Sequence, residues 1–121
     1  MKGLGNDIIE IARIEASIQK HGKYFLERVF TDKERAYCDG KKNSASSYAG
    51  RFAAKEAIAK ALGSGIGEKL SWLDMEILSS PSGKPLLYFS DQAKTTFQNP
   101  QVHISISHCK TFATAIAIWQ T

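Results

Sequence analysis

Cysteine is scarce in this chain of 121 residues: Cys38 and Cys109 are its only two. Two cysteines cannot form a disulfide framework, and their spacing fits no metal-binding motif. Both read as free thiols with no obvious activating base beside them. Long hydrophobic runs are missing too, since no apolar stretch approaches the roughly 20 residues needed to cross a bilayer. The opening residues, Met1-Lys2-Gly3-Leu4-Gly5-Asn6-Asp7, meet an acid before any apolar segment forms, so no secretory leader is expected. These absences exclude a membrane span and give the cytoplasm as the expected location. There is no internal repeat and no long linker, and the length suits one domain over 1–121 rather than two. Acidic residues are in deficit, 12 against 16 Lys and Arg, which leaves a net charge of +4. An anionic partner follows, whether nucleic acid, phosphorylated small molecule or acidic protein; charge alone does not choose.

What the chain does have is a strong helix former at its centre. Gly50-Arg51-Phe52-Ala53-Ala54-Lys55-Glu56-Ala57-Ile58-Ala59-Lys60-Ala61-Leu62-Gly63 is rich in alanine and uninterrupted by proline. Gly63 supplies the stop, because glycine readily adopts the left-handed conformation that ends helices. A spacing of four stacks Glu56 over Lys60 on one face. Taken alone, that is an ordinary surface ion pair worth a few tenths of a kcal/mol.

The surrounding pattern is mixed α and β. Lys2 to Glu10 reads as a strand, and Ile11, Ile14 and Ile18 then follow at helical spacing until His21-Gly22. Thr31 and Glu34 form a capping box at the start of another helix. Gly40 to Ser47 is polar and small, hence a loop, and Gly63 to Gly67 is a glycine-rich turn. Trp72 to Leu78 alternates as a half-buried strand, and a turn at Ser80-Pro81-Ser82-Gly83 leads to a second strand near Leu86 to Phe89. Ser90 caps a short helix. Val102 to Ser107 alternates cleanly, with Val102, Ile104 and Ile106 on one face and His103, Ser105 and Ser107 on the other. Phe112 to Trp119 completes an antiparallel hairpin with it. The expected class is α+β: one domain with a mostly antiparallel sheet packed against the long Ala-rich helix. On the last strand Ala113, Ala115 and Ala117 make a small-residue face, which suits a closely packed helix, a ligand or another subunit. Asp7 stands among apolar residues of the first strand, where a buried acid needs a cation or metal as partner and an outward one needs only water.

Taken in order, these residues resemble a family. Gly5-Asn6-Asp7-Ile8-Ile9-Glu10-Ile11 with Arg13-Ile14 is similar to the opening of the holo-acyl-carrier-protein synthases, the small phosphopantetheinyl transferases. Phe30-Thr31 with Glu34 resembles their second block. Arg51-Phe52-Ala53-Ala54-Lys55-Glu56-Ala57, with Lys60-Ala61 and Gly63 to Gly67, resembles their signature helix and turn. Trp72, Asp74 and Glu76, then Gly83-Lys84-Pro85 and His103 to His108, continue the match over nearly the whole chain.

The resemblance implies transfer of 4′-phosphopantetheine from coenzyme A to a serine of apo acyl carrier protein, with release of adenosine 3′,5′-bisphosphate, in support of fatty acid biosynthesis. It implies Mg²⁺ as cofactor, with Asp7 and Glu56 as ligands, a hard-oxygen set suited to that ion. It makes Asp7, Glu56 and Lys60 the catalytic group, with Lys60 meeting a phosphate oxygen. Arg51, Lys60, Gly63, Lys84, Pro85 and His103 are the implied coenzyme A contacts, with Lys41 or Lys42 as further candidates for the 3′-phosphate. It implies a homotrimer with sites at subunit boundaries. Arg13, Lys20, Lys23 and Arg28 offer charge to an acidic carrier protein, and Phe25 an anchor. No general base is singled out. Two other readings compete. A nucleic-acid module would interleave aromatics with Lys and Arg on an exposed strand, whereas the strands at Val102 and Phe112 carry Ser, Ala and branched apolar residues. A metal-dependent nucleotide pyrophosphatase would use the same carboxylates with water as nucleophile.

Overall fold

The structure, a computed structural model, describes residues 1–121. A first strand β1 (Gly3–Glu10) runs directly into helix α1 (Ile11–His21), followed by α2 (Lys23–Val29), α3 (Asp32–Asp39) and the long α4 (Ser44–Leu62). A 3-10 turn at Trp72–Asp74 precedes the strands β2 (Met75–Ser79) and β3 (Pro85–Phe89); α5 (Asp91–Thr96), β4 (Val102–His108) and β5 (Phe112–Trp119) complete the chain. There are two antiparallel sheets, a three-stranded one in the order β1-β5-β4 and a separate β2-β3 hairpin. The α+β expectation therefore holds, with the strands divided rather than joined in one sheet.

Several local expectations hold for the reasons that produced them. Thr31 caps α3 by accepting the Glu34 N–H, while the Glu34 carboxylate returns to the Thr31 N–H, so both orphan donors are satisfied. Ser90 caps α5 through the Ala93 N–H. Gly63 ends α4 at φ 78°. Two boundaries differ. The loop expected over Gly40 to Ser47 gives way to helix at Ser44, because the side chain of Asn43 accepts the Ser46 N–H and starts α4 there. The strand expected from Trp72 begins only at Met75. Asp74 accepts from the backbone and hydroxyl of Ser71, a capping arrangement that curls Trp72–Asp74 into a 3-10 turn.

Helix α4 is the axis of the molecule. Thirteen of its 19 residues are buried, so it belongs to the interior and its charged residues must find partners there. Its alanines, among them Ala53, Ala57 and Ala61, pack with Ala115 and Ala117 of β5 in one core that also takes Ile58, Leu70, Met75 and Ile77. The small-residue face of β5 is thus explained by the helix lying on it. Ala113 belongs to a second core beside Ile11, Ile14, Phe30 and Tyr48.

The approach of β1 to α4 is closer still. A Cβ on Gly5 would stand 2.0 Å from the Ala57 carbonyl oxygen, and one on Gly3 1.9 Å from that of Ala61. No side chain fits at either position, so two glycines let strand and helix backbones meet. The consequence is register. Asp7, two residues beyond Gly5, shares the helix-facing side of β1 and is half-buried, while Leu4 and Ile8 point outward. The outer face of the three-stranded sheet is therefore apolar in part: Ile8 is 66% exposed, Leu4 56%, and Phe112 and Ile116 41% each.

Candidate active site

Asp7 enters from β1, and Glu56 and Lys60 from α4. Together they line one cavity of about 400 Å³, walled by Ile9, Arg13, Phe25 and Phe52 among others. The surface ion pair between Glu56 and Lys60 that the spacing alone would allow is not the one that forms. Lys60 Nζ donates instead to the Asn6 carbonyl oxygen at 2.9 Å and to Asp7 Oδ1 at 3.2 Å. The close β1–α4 contact places these acceptors within the lysine's reach, and its flexible stem crosses to them rather than lying back along its own helix. Glu56 remains without that partner. Its carboxyl pKa is raised, first by burial and then by the negative charge of Asp7, with Lys60 opposing both. Two acids are thus held near enough to repel, an arrangement that a cation between them would relieve.

Those two carboxylates fit Mg²⁺, which binds through one or two carboxylates and keeps its remaining positions for water and phosphate oxygens. No group of three His, Cys, Asp or Glu side chains is gathered for a metal anywhere in the chain, so a site filled by protein ligands alone is not what this geometry offers.

The other residues singled out in the sequence lie elsewhere on the chain. Arg51 is buried at 6% exposure and donates to the Ile77 carbonyl at 3.0 Å, to Ser79 Oγ at 3.1 Å, and to Ser47. Its guanidinium lies 4.4 Å from the Tyr37 ring centroid, and Lys41 Nζ 4.6 Å from the same ring. Arg51, Lys41, Lys42 and His108 line a second, basic cavity of about 340 Å³ beside the start of α4. Lys84, Pro85 and His103 share a third cavity of about 230 Å³ between β3 and β4. Gly63 sits at the end of α4, three residues past Lys60, where its positive φ accounts for the glycine. One chain therefore gathers Asp7, Glu56 and Lys60, and leaves Arg51 apart from Lys84, Pro85 and His103.

The sequence reading missed one feature here. Lys55, adjacent to Glu56, has no solvent exposure and donates to Glu34 Oε1 and the Val29 carbonyl, each at 2.7 Å, and to the Trp72 carbonyl at 3.1 Å. Glu34 was legible as a helix cap, and Lys55 as part of a motif. Nothing in their spacing joins them, since the pair closes across the core. The aromatic wall of the Asp7–Glu56 cavity was not legible either: Phe52 stacks on Trp72 at 4.9 Å between centroids, and Phe25, read only as an anchor for the carrier, meets Phe52 at 6.4 Å.

Residues 3–117 match the model of the 4′-phosphopantetheinyl transferase superfamily. The chain is 53% identical over 119 residues to the holo-[acyl-carrier-protein] synthase of Protochlamydia amoebophila, covering 98% of both chains. It superposes on the Helicobacter pylori holo-[acyl-carrier-protein] synthase in complex with coenzyme A at a TM-score of 0.88 and 42% identity, over 97% of this chain and 99% of that one. The synthase of Neisseria meningitidis superposes at a TM-score of 0.92 and 29% identity, over 100% and 99% of the two chains. With the ordered motifs, the fold and near-complete coverage in agreement, the chain belongs to the 4′-phosphopantetheinyl transferase superfamily.

Proposed function

We propose that this chain is a holo-acyl-carrier-protein synthase that moves 4′-phosphopantetheine from coenzyme A to a serine of apo acyl carrier protein, releases adenosine 3′,5′-bisphosphate, and serves fatty acid biosynthesis. The observation that carries the reading is the convergence of Asp7, Glu56 and Lys60 on one cavity, on a chain that matches such synthases end to end. Asp7 and Glu56 hold the cofactor Mg²⁺, whose chemistry when bound is to neutralise and orient the diphosphate oxygens. Lys60 gives its ammonium to a diphosphate oxygen. Phe25 and Phe52 wall the cavity on its apolar side.

Coenzyme A carries a further phosphate on its ribose. The basic cavity of Arg51, Lys41 and Lys42 suits that group, and Lys84, Pro85 and His103 suit the adenine. Gly63 and its turn border the diphosphate. These places lie in separate cavities on one chain, which supports a site completed between subunits of a homotrimer. The exposed Ile8, Leu4, Phe112 and Ile116 on the outer sheet face supply the apolar surface for such an assembly. The acidic carrier docks along Arg13, Lys20, Lys23 and Arg28, with Phe25 as anchor. No helix is long and apolar enough to cross a membrane, and the enzyme works in the cytoplasm on soluble partners.

Mass spectrometry of apo carrier protein, after incubation with the chain, coenzyme A and Mg²⁺, tests the reaction. The expected result is a mass gain of one phosphopantetheine, with bisphosphate released only when the acceptor is present. Release without acceptor would instead identify a pyrophosphatase.

A further inference from the structure

Of the three groups at the proposed centre, Lys60 already holds another. Its Nζ bonds the Asn6 carbonyl at 2.9 Å and Asp7 Oδ1 at 3.2 Å. The lysine side chain is 52% exposed and that of Asp7 only 17%. An ammonium therefore reaches from the solvent side onto a largely covered carboxylate. Both acceptors sit on β1, whose backbone is pressed against α4 at Gly3 and Gly5. Strand and helix are fixed relative to each other, so the part free to move is the lysine's own four-carbon stem.

We propose that Lys60 works from two stations: on Asp7, where it holds the place of the divalent cation, and on the donor's diphosphate, which it meets by leaving that carboxylate. The proposal rests on the reading of Asp7 and Glu56 as metal ligands given above. Charge makes the stations alternatives. A divalent cation and an ammonium crowded onto one carboxylate repel strongly at this range. The exchange is easy, because a half-exposed lysine pair is weakly held. A diphosphate that draws Lys60 away uncovers Asp7 for the metal, and a metal that takes Asp7 frees Lys60 for the diphosphate. The two ligands then help each other bind, and the help is reciprocal by thermodynamic necessity. Lys60 is accordingly both a ligand for the donor and a guard on the metal site.

The test uses the full chain, Mn²⁺ as probe metal and coenzyme A as probe anion, with free Mn²⁺ read by electron paramagnetic resonance and heats by calorimetry. Lys60→Met keeps the apolar stem and removes the charge, and Lys60→Gln serves as a second variant. Both are expected to bind Mn²⁺ roughly three- to fivefold more tightly than the wild type in the absence of coenzyme A, the size of a released exposed ion pair. Both are expected to bind coenzyme A more weakly in the presence of Mn²⁺, and to lose the tightening of Mn²⁺ binding that coenzyme A gives the wild type. Arg13 lines the same cavity without bonding Asp7, so Arg13→Met measures the general field of a nearby cation and is expected to change Mn²⁺ affinity by less than about twofold. Unchanged or weaker Mn²⁺ binding in the Lys60 variants overturns the exchange, as does equal tightening in Arg13→Met. If wild type binds Mn²⁺ and Asp7→Asn abolishes that binding while the Lys60 variants match wild type, the metal site stands and the exchange falls. If wild type binds no Mn²⁺ with or without coenzyme A, the metal site itself falls.

Discussion

Lys55 Nζ lies 2.7 Å from Glu34 Oε1 with neither side chain open to solvent. Every polar atom of the pair is used. The ammonium has three acceptors, and Glu34 accepts from the backbone N–H groups of Thr31 and Ile77 as well as from Lys55. Thr31, in turn, donates its hydroxyl to Glu76. The pair ties α4 to α3, to the end of α2 and to β2. Burial pulls the lysine's proton affinity down, and Glu34 pulls it back.

Removing one member is therefore expected to cost more than removing both. Lys55→Met leaves a buried carboxylate, and Glu34→Gln a buried ammonium, so each single variant should lose about 3–5 kcal/mol in urea unfolding. Lys55→Met combined with Glu34→Leu should recover part of that loss, though the backbone groups of Val29, Thr31, Ile77 and Trp72 lose these partners. A double variant less stable than either single would contradict this account.

The two glycines of β1 predict a different failure. Gly5→Ala puts a methyl group where the Ala57 carbonyl stands, and overpacking of this kind costs about 1–3 kcal/mol when neighbours can shift. Backbone on both sides makes the upper end the expectation. Gly67→Ala, where an added Cβ meets nothing within 4 Å, serves as the control and should leave the melting temperature in place.

Asp7→Asn and Glu56→Gln are each expected to lower transfer by at least about a hundredfold while the circular dichroism spectrum is kept, since each withdraws charge from the diphosphate's partner. They should part company in stability. Glu56 has a raised pKa in the folded chain, so the folded state binds the proton more readily than the unfolded one. Without metal, stability must then fall as pH rises through that raised pKa. Glu56→Gln lacks this loss and should be slightly more stable than wild type at pH 7, by less than about 1 kcal/mol because solvent reaches the group. Chemical denaturation at pH 4 and pH 7 reads the difference; a larger gap at pH 4 than at pH 7 would reverse the sign.

The outer sheet face carries the prediction for assembly. Leu4→Glu and Ile116→Glu change residues that are 56% and 41% exposed on the single chain, so they should leave the fold alone. Light scattering should show the trimer mass for wild type and a smaller species for the variants, whose coenzyme A affinity should fall although Asp7, Glu56 and Lys60 are untouched. Intact trimers in both variants would place the subunit boundary elsewhere.

How much of this could be read in advance depended on distance along the chain. Caps and stops came through because their partners are three or four residues apart: Thr31 with Glu34, Ser90 with Ala93, Gly63 at the end of its helix. The β4–β5 hairpin came through because its faces alternate strictly. Asn43 as a helix start was hidden among polar residues that look like loop from end to end. Asp7 and Glu56 line one cavity, a meeting across 49 positions that no local pattern in the chain reports. The contact of Lys60 with Asp7 was not legible, because four-residue spacing reports only Glu56 as a neighbour and the glycine-mediated contact of β1 with α4 is what brings Asp7 near. Lys55 and Glu34 are 21 residues apart and meet through the interior, where no periodicity reports them. The apolar outer face was overlooked for a related reason: Leu4 and Ile8 look like core residues until the register turns them outward.

Strand and helix touch through two hydrogen atoms where other residues would carry carbon. The spacing of the acids is consequently inherited from steric exclusion rather than from bonds that solvent can exchange. Positions 3 and 5 carry no chemistry of their own, yet any side chain there would shift the strand that bears Asp7 against the helix that bears Glu56 and Lys60.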